Sequence, residues 1–182
     1  MLIDSIVKND QHFKFTREGN VYWVQLRDPF SSYGTPIGKT DLTVYFHGKP
    51  TEAIRPPWDG GWIWKKDENG YPWMSVACQG LGASVWVPCK DIQSDEPGNG
   101  AILHIIVPDS LTGVGNGRLT GKQALPGGNT MYSWEVKNPI NNYCIIPYIG
   151  KYAYYSELYE GKKGQLTMDY WVLDHNLEKE KK

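Results

Sequence analysis

Short stretches of alternating apolar and polar residues recur along this 182-residue chain, and Gly, Pro and Asn separate them. The cleanest alternation is Met-Tyr-Ser-Trp-Glu-Val at 131–136, and Leu42, Val44 and Phe46 also fall on one face of a strand at a period of two. The apolar run 101–107 predicts a buried strand. Further strands are predicted at 3–7, 13–15, 21–26, 62–64, 71–74, 144–150, 151–159 and 165–173.

Turn residues divide these strands and leave little room for helix. Residues 8–11 predict a hairpin turn, as do two Asn-Gly pairs, Asn69-Gly70 and Asn116-Gly117, of which the second suits the positive φ of a type I′ turn. Asn176 can cap a helix start in the polar C-terminal tail. Loops are predicted at 28–39 and 121–129, and a rigid Pro-Pro and Gly-Gly turn at 55–61. We therefore expect an all-β fold of about ten short strands, either a sandwich or a large curved sheet.

Composition supports the strands and limits the class of partner. The chain has 8 Trp, 12 Tyr, 20 Gly and 12 Pro, and aromatic residues fit a pleated, half-buried surface. Its 19 Lys and Arg nearly balance 20 Asp and Glu, for a net charge of -1, so we expect no nucleic-acid partner and no membrane partner. No apolar run approaches the length of about 18 residues that a membrane helix needs, and no signal peptide is expected at the N-terminus.

Candidate chemistry is sparse when the residues are considered alone. The four His lack the His-Glu-x-x-His pattern and other ligand spacing, so no metal site is expected on this chain. The three cysteines, Cys78, Cys89 and Cys144, are expected as buried thiols, and a Cys78–Cys89 disulfide stays open subject to geometry.

Two clusters each allow a structural and a functional interpretation. Asp91, Asp95 and Glu96 suit calcium binding or acid–base chemistry, but their neighbours favour a capped turn. The five aromatic residues between Trp58 and Trp73 suit a stacking platform for a sugar or peptide, but the packed face of a hairpin is favoured.

The segment 78–97 is a polar, Gly-containing connection between two apolar strands, where ligand sites commonly lie. Four stretches carry a resemblance across nearly the whole chain. They are Cys78-Gln79-Gly80 leading into Val87-Pro88-Cys89-Lys90-Asp91 and Asp95-Glu96-Pro97; Val107-Pro108 leading through Leu111 to Asn116-Gly117; Pro139-Ile140-x-x-Tyr143 followed by Ile149-Gly150; and Pro56-Pro57-Trp58-Asp59-Gly60-Gly61. In this order and spacing they resemble the N-terminal domain of the aminopeptidase N family of zinc metallopeptidases, in its bacterial branch. Ser84 stands where many members carry Arg.

The resemblance implies a saddle-shaped β domain at 1–175 without its first strands, and at 176–182 a truncated helix that starts a linker to an absent catalytic domain. It places Gln79 where members present Gln or Glu to the free α-amine of a peptide substrate, with Gly80 beside it. Zinc is implied only for the absent catalytic domain, so this chain alone is expected to bind no cofactor and to hydrolyse no peptide. The implied partners are the N-terminus of a peptide substrate and the catalytic domain of the same polypeptide.

Two functions from different classes follow. The first is a non-catalytic wall of the substrate cleft of a zinc aminopeptidase. The second is a stand-alone, aromatic-rich β-sandwich that binds carbohydrate or protein. For Gln79, a purely structural role as a hydrogen-bonded loop residue also stays open.

Overall fold

The computed structural model describes residues 1–25 and 41–180, in which nearly all regular structure is β-strand. The strands are β1 (Leu2–Lys8), β2 (Gln11–His12), β3 (Phe15–Glu18), β4 (Val21–Val24), β5 (Thr43–His47), β6 (Gly61–Lys66), β7 (Pro72–Ala77), β8 (Ala101–Pro108), β9 (Thr112–Val114), β10 (Arg118–Leu125), β11 (Asn129–Val136), β12 (Tyr148–Gly150), β13 (Tyr152–Gly161) and β14 (Gly164–Leu173). Short 3-10 helices cover Ala83–Val85, Asn142–Cys144 and Asp174–Asn176, and the α-helix α1 covers Leu177–Glu180. The expected all-β fold is confirmed, with 14 strands among the described residues instead of about ten.

The lengths of the helices bear on the expectation that the chain has no membrane-spanning helix. Within the described ranges, none of the helices has the length and apolar character needed to cross a membrane. The loop predicted at 28–39 lies outside the described residues.

The chain divides into two compact units, and the first is Met1–Pro50. Its strands form one antiparallel sheet in the order β2-β1-β5 and a separate β3–β4 hairpin. Asn9 and Asp10 between β1 and β2 both have positive φ, at 46° and 64°, which is the backbone of a type I′ turn. The predicted hairpin turn at 8–11 is therefore confirmed, although its second strand is only two residues long.

The second unit, Thr51–Lys182, contains two larger sheets and a long hairpin. One sheet has the order β6-β7-β12-β9 and the other β10-β11-β8, while β13 and β14 pair with each other over ten residues. Side chains from both sheets meet in one buried cluster, which is the expected core of a sandwich. Its fully buried members are Ile105, Val107, Leu111, Tyr132 and Trp134, and Met74, Leu103, Val114, Ile149 and Trp171 pack against them.

Alternation in the sequence predicted β11 well and β8 only in part. In β11 every second residue from Thr130 to Val136 is buried, as the pattern requires. In β8 only Ile105 and Val107 are buried, whereas Ile102 is 65% exposed and Ile106 57% exposed. The prediction of a strand buried throughout is wrong, because one face of this antiparallel sheet points to solvent.

The two Asn-Gly pairs differ in outcome. Asn69-Gly70 does close the β6–β7 hairpin, where Gly70 has a φ of 82°. Asn116-Gly117 does not close a hairpin, because β9 pairs with β12 while β10 pairs with β11. Instead the Asn116 side-chain oxygen accepts a hydrogen bond of 3.0 Å from the Ile146 amide, and the chain passes from one sheet to the other.

The prediction of a loop at 121–129 is also wrong for the first half of that range. Strand β10 continues to Leu125, and the turn is confined to the three residues 126–128. Lys122 and Gln123 are polar and exposed, so they resemble a loop in sequence although they lie on an edge strand.

Gly113 on β9 and Gly121 on β10 allow a matched test of the core packing. A Cβ at Gly113 would lie 2.6 Å from Ile105 Cγ2, whereas a Cβ at Gly121 would lie 3.7 Å from the nearest atom of Ser133. We expect Gly113→Ala to lower the free energy of unfolding by about 1–3 kcal/mol through overpacking. Gly121→Ala should leave it unchanged or raise it by up to about 1 kcal/mol. Urea denaturation of both variants measures the difference, and equal effects would contradict the described packing.

Candidate functional site

The segment 78–97 leaves the end of β7 and turns back at once. Ala77 is buried at the end of the strand, Cys78 is half-buried, and Gln79, Gly80 and Leu81 are exposed. The Cys78 carbonyl oxygen accepts hydrogen bonds from the amides of Leu81, at 3.2 Å, and Gly82, at 2.8 Å. Gly80 has a φ of 72°, a conformation that residues with a side chain rarely adopt, so the sharp turn depends on glycine there.

This turn forms one wall of an open groove of about 760 Å³. The lining residues are Pro57, Ala77, Cys78, Gln79, Gly80, Leu81, Gly82, Asp91, Gln93 and Tyr143. The two residues that the resemblance singles out, Gln79 and Gly80, therefore lie together on the groove and are accessible. We call this feature the β7 groove.

Hydrogen bonds from a distant segment hold the far side of the β7 groove. The Asn142 side-chain amide donates to the Lys90 carbonyl oxygen at 2.7 Å, and that of Asn141 donates to the Gln93 carbonyl oxygen at 2.8 Å. The Asn142 backbone amide also donates to the Asp95 carbonyl oxygen at 3.0 Å. These bonds attach the loop to the 3-10 helix that precedes β12.

The carboxylates of the loop have structural partners, as the favoured interpretation requires. Asp91 accepts a hydrogen bond of 2.6 Å from the Ser84 hydroxyl, and Asp95 pairs with Lys90 at 2.7 Å. Gly82 is needed beside Asp91, because a Cβ there would overlap the Asp91 carboxylate. Ser84 thus stabilises the loop from within.

The aromatic stretch between Trp58 and Trp73 does not form one surface. Trp73 packs against a small buried cluster of Ala53, Ile63 and Ala77 and donates a hydrogen bond of 2.8 Å to the Tyr152 hydroxyl. Trp58, by contrast, is 83% exposed on the Pro-Pro turn. That turn is held by Asp59, whose two carboxylate oxygens each accept a backbone amide hydrogen bond of 2.7 Å.

All three cysteines are free thiols. Burial raises the pKa of Cys78 from 9.0 to about 11, and the charge of Asp91 and the nearby thiols of Cys89 and Cys144 add to the shift. Burial and then Asp91 and Asp95 also raise the pKa of Cys89. The prediction of buried thiols is wrong for Cys89, which is exposed, and Cys78 and Cys144 are only half-buried.

The structure also brings together three potential metal ligands that sequence reasoning missed. Among the described residues, Asp67, Asp174 and His175 place one ligand atom each within 4.8 Å of one another. Asp67 lies in the β6–β7 turn and the other two directly follow β14, so no local spacing in the sequence joins them. Only the strand topology could have indicated this cluster.

Solved structures define the class of fold to which the chain belongs. A scan against protein-family models and a search of curated proteins find no match. Structures of M1 zinc metallopeptidases match over almost the whole chain, and the chain has the fold of part of those enzymes. The sequence resemblance to the aminopeptidase N family predicted this fold, and the prediction is confirmed.

Particular structures give the extent of the match. An M1 zinc metallopeptidase from Deinococcus radiodurans matches with a TM-score of 0.70 and 17% identity, over 92% of this chain and 36% of that chain. A mutant of that enzyme bound to a Tyr-Ser-Ala substrate matches with a TM-score of 0.72 and 17% identity, over 92% and 37%. Legionella pneumophila aminopeptidase A in complex with aspartic acid matches with a TM-score of 0.65 and 20% identity, over 97% and 19%. The chain therefore spans little more than a third of the Deinococcus structures.

The zinc implied by those enzymes does not fit the residues of this chain. A peptidase zinc of the His-Glu-x-x-His type needs two histidines one helical turn apart and a glutamate between them. The sequence contains no such motif, and the described helices are at most four residues long. No hydrolytic step is assigned to this chain alone.

The raised pKa of Cys78 predicts slow alkylation at the base of the β7 groove. A pKa of about 11 in place of 9.0 lowers the thiolate fraction of Cys78 at pH 8 about 100-fold. The rate of alkylation falls with that fraction, because only the thiolate reacts. Iodoacetamide at pH 8 should therefore modify Cys78 about 100-fold more slowly in the folded chain than in urea. Peptide mapping by mass spectrometry measures the rate at each cysteine.

The variant Asp91→Asn removes the charge and keeps an oxygen that accepts from Ser84. It should lower the Cys78 pKa and speed its alkylation. Equal Cys78 rates in the folded and unfolded chain would contradict the described environment.

Proposed function

We propose that this chain is the non-catalytic N-terminal domain of a zinc aminopeptidase and forms one wall of its substrate cleft. The domain helps to bind the N-terminus of a peptide. The zinc ion, and the residues that hydrolyse the peptide bond, belong to a following catalytic domain of the same polypeptide. The observation that carries the proposal is the exposure of Gln79 and Gly80 on the β7 groove, in a chain with the M1 fold.

The chemistry of the β7 groove suits a positively charged amine. The Gln79 side-chain oxygen accepts hydrogen bonds, and an ammonium group is a strong donor. The exposed turn at Gly80 lets a ligand approach the backbone closely. The Deinococcus enzyme binds a Tyr-Ser-Ala substrate and the Legionella enzyme binds aspartic acid, and both ligands carry a free α-amine.

A second candidate function is a stand-alone β-sandwich that binds carbohydrate or protein. It is favoured by one observation, the neighbouring exposure of Ile54 (86%) and Trp58 (83%) on the Pro-Pro turn. The gene distinguishes the two functions, because the first requires a His-Glu-x-x-His motif downstream of Lys182. Absence of that motif from the complete reading frame would overturn the first and leave the second.

Substitution of Gln79 tests its role in the complete enzyme. Loss of a hydrogen bond to a charged amine costs about 1.5–3 kcal/mol, so Gln79→Ala should lower kcat/KM for aminoacyl arylamides by about 10- to 100-fold. Gln79→Glu should retain or exceed the wild-type value because it adds a negative charge to the same acceptor. Folding should be unaffected, since Gln79 is exposed.

The matched control is Gln123→Ala, which removes an exposed glutamine on β10, outside the β7 groove. It should leave kcat/KM unchanged. If Gln79→Ala behaves like this control, Gln79 does not contribute to the substrate cleft.

A further inference from the structure

One histidine and two aspartates converge at the end of the β6–β7 hairpin that lies opposite the β7 groove. Asp67 Oδ2, Asp174 Oδ1 and His175 Nδ1 are buried, and within the described part of the chain none of these atoms has a hydrogen-bond partner. Their ligand atoms lie within 4.8 Å of one another. Buried polar atoms are almost always paired, and an unpaired one costs about 1–3 kcal/mol. Three such atoms facing the same small space point to a ligand that joins them.

Asp67 is positioned for this role by its own turn. Its side chain is 0% exposed, and Oδ1 accepts hydrogen bonds of 2.9 Å from the amides of Asn69 and Tyr71. These bonds fix the carboxylate and turn Oδ2 toward the cluster. Asp67 Oδ2 lies 3.9 Å from His175 Nδ1, which is too long for a hydrogen bond.

The other two side chains are held just after β14. The Asp174 amide donates to the Lys151 carbonyl oxygen at 3.0 Å, and Asp174 Oδ2 pairs with Lys151 Nζ at 3.2 Å, so Oδ1 is the oxygen that faces the cluster. The His175 side chain is 11% exposed, and its Nε2 faces Glu68 Oε2 at 3.8 Å. The ring thus has one nitrogen toward Asp67 and the other toward the Glu68 carboxylate, both at distances too long for a hydrogen bond.

We propose that Asp67, Asp174 and His175 bind a divalent transition-metal ion of the Zn²⁺ class. The ion joins the β6–β7 turn to the segment that follows β14. The imidazole nitrogen favours such an ion over Ca²⁺ and Mg²⁺, which prefer oxygen ligands throughout. Zinc–ligand bonds of about 2.0–2.2 Å set tetrahedral ligand atoms about 3.3 Å apart, so a small inward movement of the three side chains completes the site and water fills the fourth position.

The local charges also suit a divalent cation. Asp67, Asp174 and Glu68 carry three negative charges, and Lys151 neutralises one of them through its pair with Asp174. The formal balance is two negative charges, one of them on Glu68, whose side chain is 76% exposed.

Metal binding to the purified 182-residue chain tests the proposal. After treatment with a chelator, calorimetric titration with Zn²⁺ should give one equivalent bound. The variants His175→Ala and Asp67→Asn should each weaken binding at least about 10-fold. His175→Ala leaves the hydrogen bonds of the turn intact, so it remains informative if Asp67→Asn perturbs folding, which circular dichroism checks.

His47→Ala is the matched control, because His47 forms an exposed pair with Asp4 at 2.6 Å in the Met1–Pro50 unit. It should leave the stoichiometry and affinity unchanged. Substitution with Co²⁺ should give visible bands of oxygen and nitrogen ligation that disappear in His175→Ala.

Three results would overturn the proposal. The first is no binding of Zn²⁺ at micromolar concentration. The second is binding that persists in both His175→Ala and Asp67→Asn. The third is a thiolate charge-transfer band with Co²⁺, which would place the ion on the cysteines.

Discussion

The unit Thr51–Lys182 depends on one contact, which is made by the buried indole of Trp134. Trp134 lies on β11, and its Nε1–H donates a hydrogen bond of 3.0 Å to the Gly113 carbonyl oxygen on β9, in the other sheet. Gly115 lets β9 approach the ring, since a Cβ there would lie 3.0 Å from Trp134 Cγ. Strand β9 pairs with β12, and β12 pairs with β7, whose end carries the β7 groove. One satisfied polar group in an apolar core therefore joins the two sheets, and two strand pairings connect β9 to the strand that leads into Gln79.

Local sequence patterns predicted the elements whose environment is local. Asn69-Gly70 closes a hairpin because the strands on either side pair with each other, and β11 alternates because one of its faces covers the core. Asn116-Gly117 has the same local chemistry and a different result, because Asn116 bonds to Ile146 and the flanking strands find partners in different sheets. Which strands pair with each other depends on residues far apart in the sequence, so a turn motif alone cannot predict the pairing.

The same distinction applies to the sites. The sequence located the β7 groove, because Gln79 and Gly80 follow a strong strand and carry the family resemblance. It did not give the shape of the groove, since the far side is held by Asn141 and Asn142, which come from another part of the chain. The cluster of Asp67, Asp174 and His175 was not predicted at all, because these residues become neighbours only when β14 ends beside the β6–β7 turn. Residues that share a site without sharing a segment leave no periodic signal in one sequence.

In the proposed function, a charged residue of the β7 groove complements the neutral Gln79 in amine recognition. Among the ten lining residues, Asp91 carries a formal charge, and after burial it is the second cause of the raised pKa of Cys78. Ser84 fixes that carboxylate with a hydrogen bond of 2.6 Å, so the charge has a defined position. In the proposed function, Asp91 supplies the long-range attraction for an ammonium group and Gln79 supplies the directional acceptor. In that proposal a glutamate at position 79 would combine both roles, whereas Gln79 and Asp91 divide them between two residues of one loop.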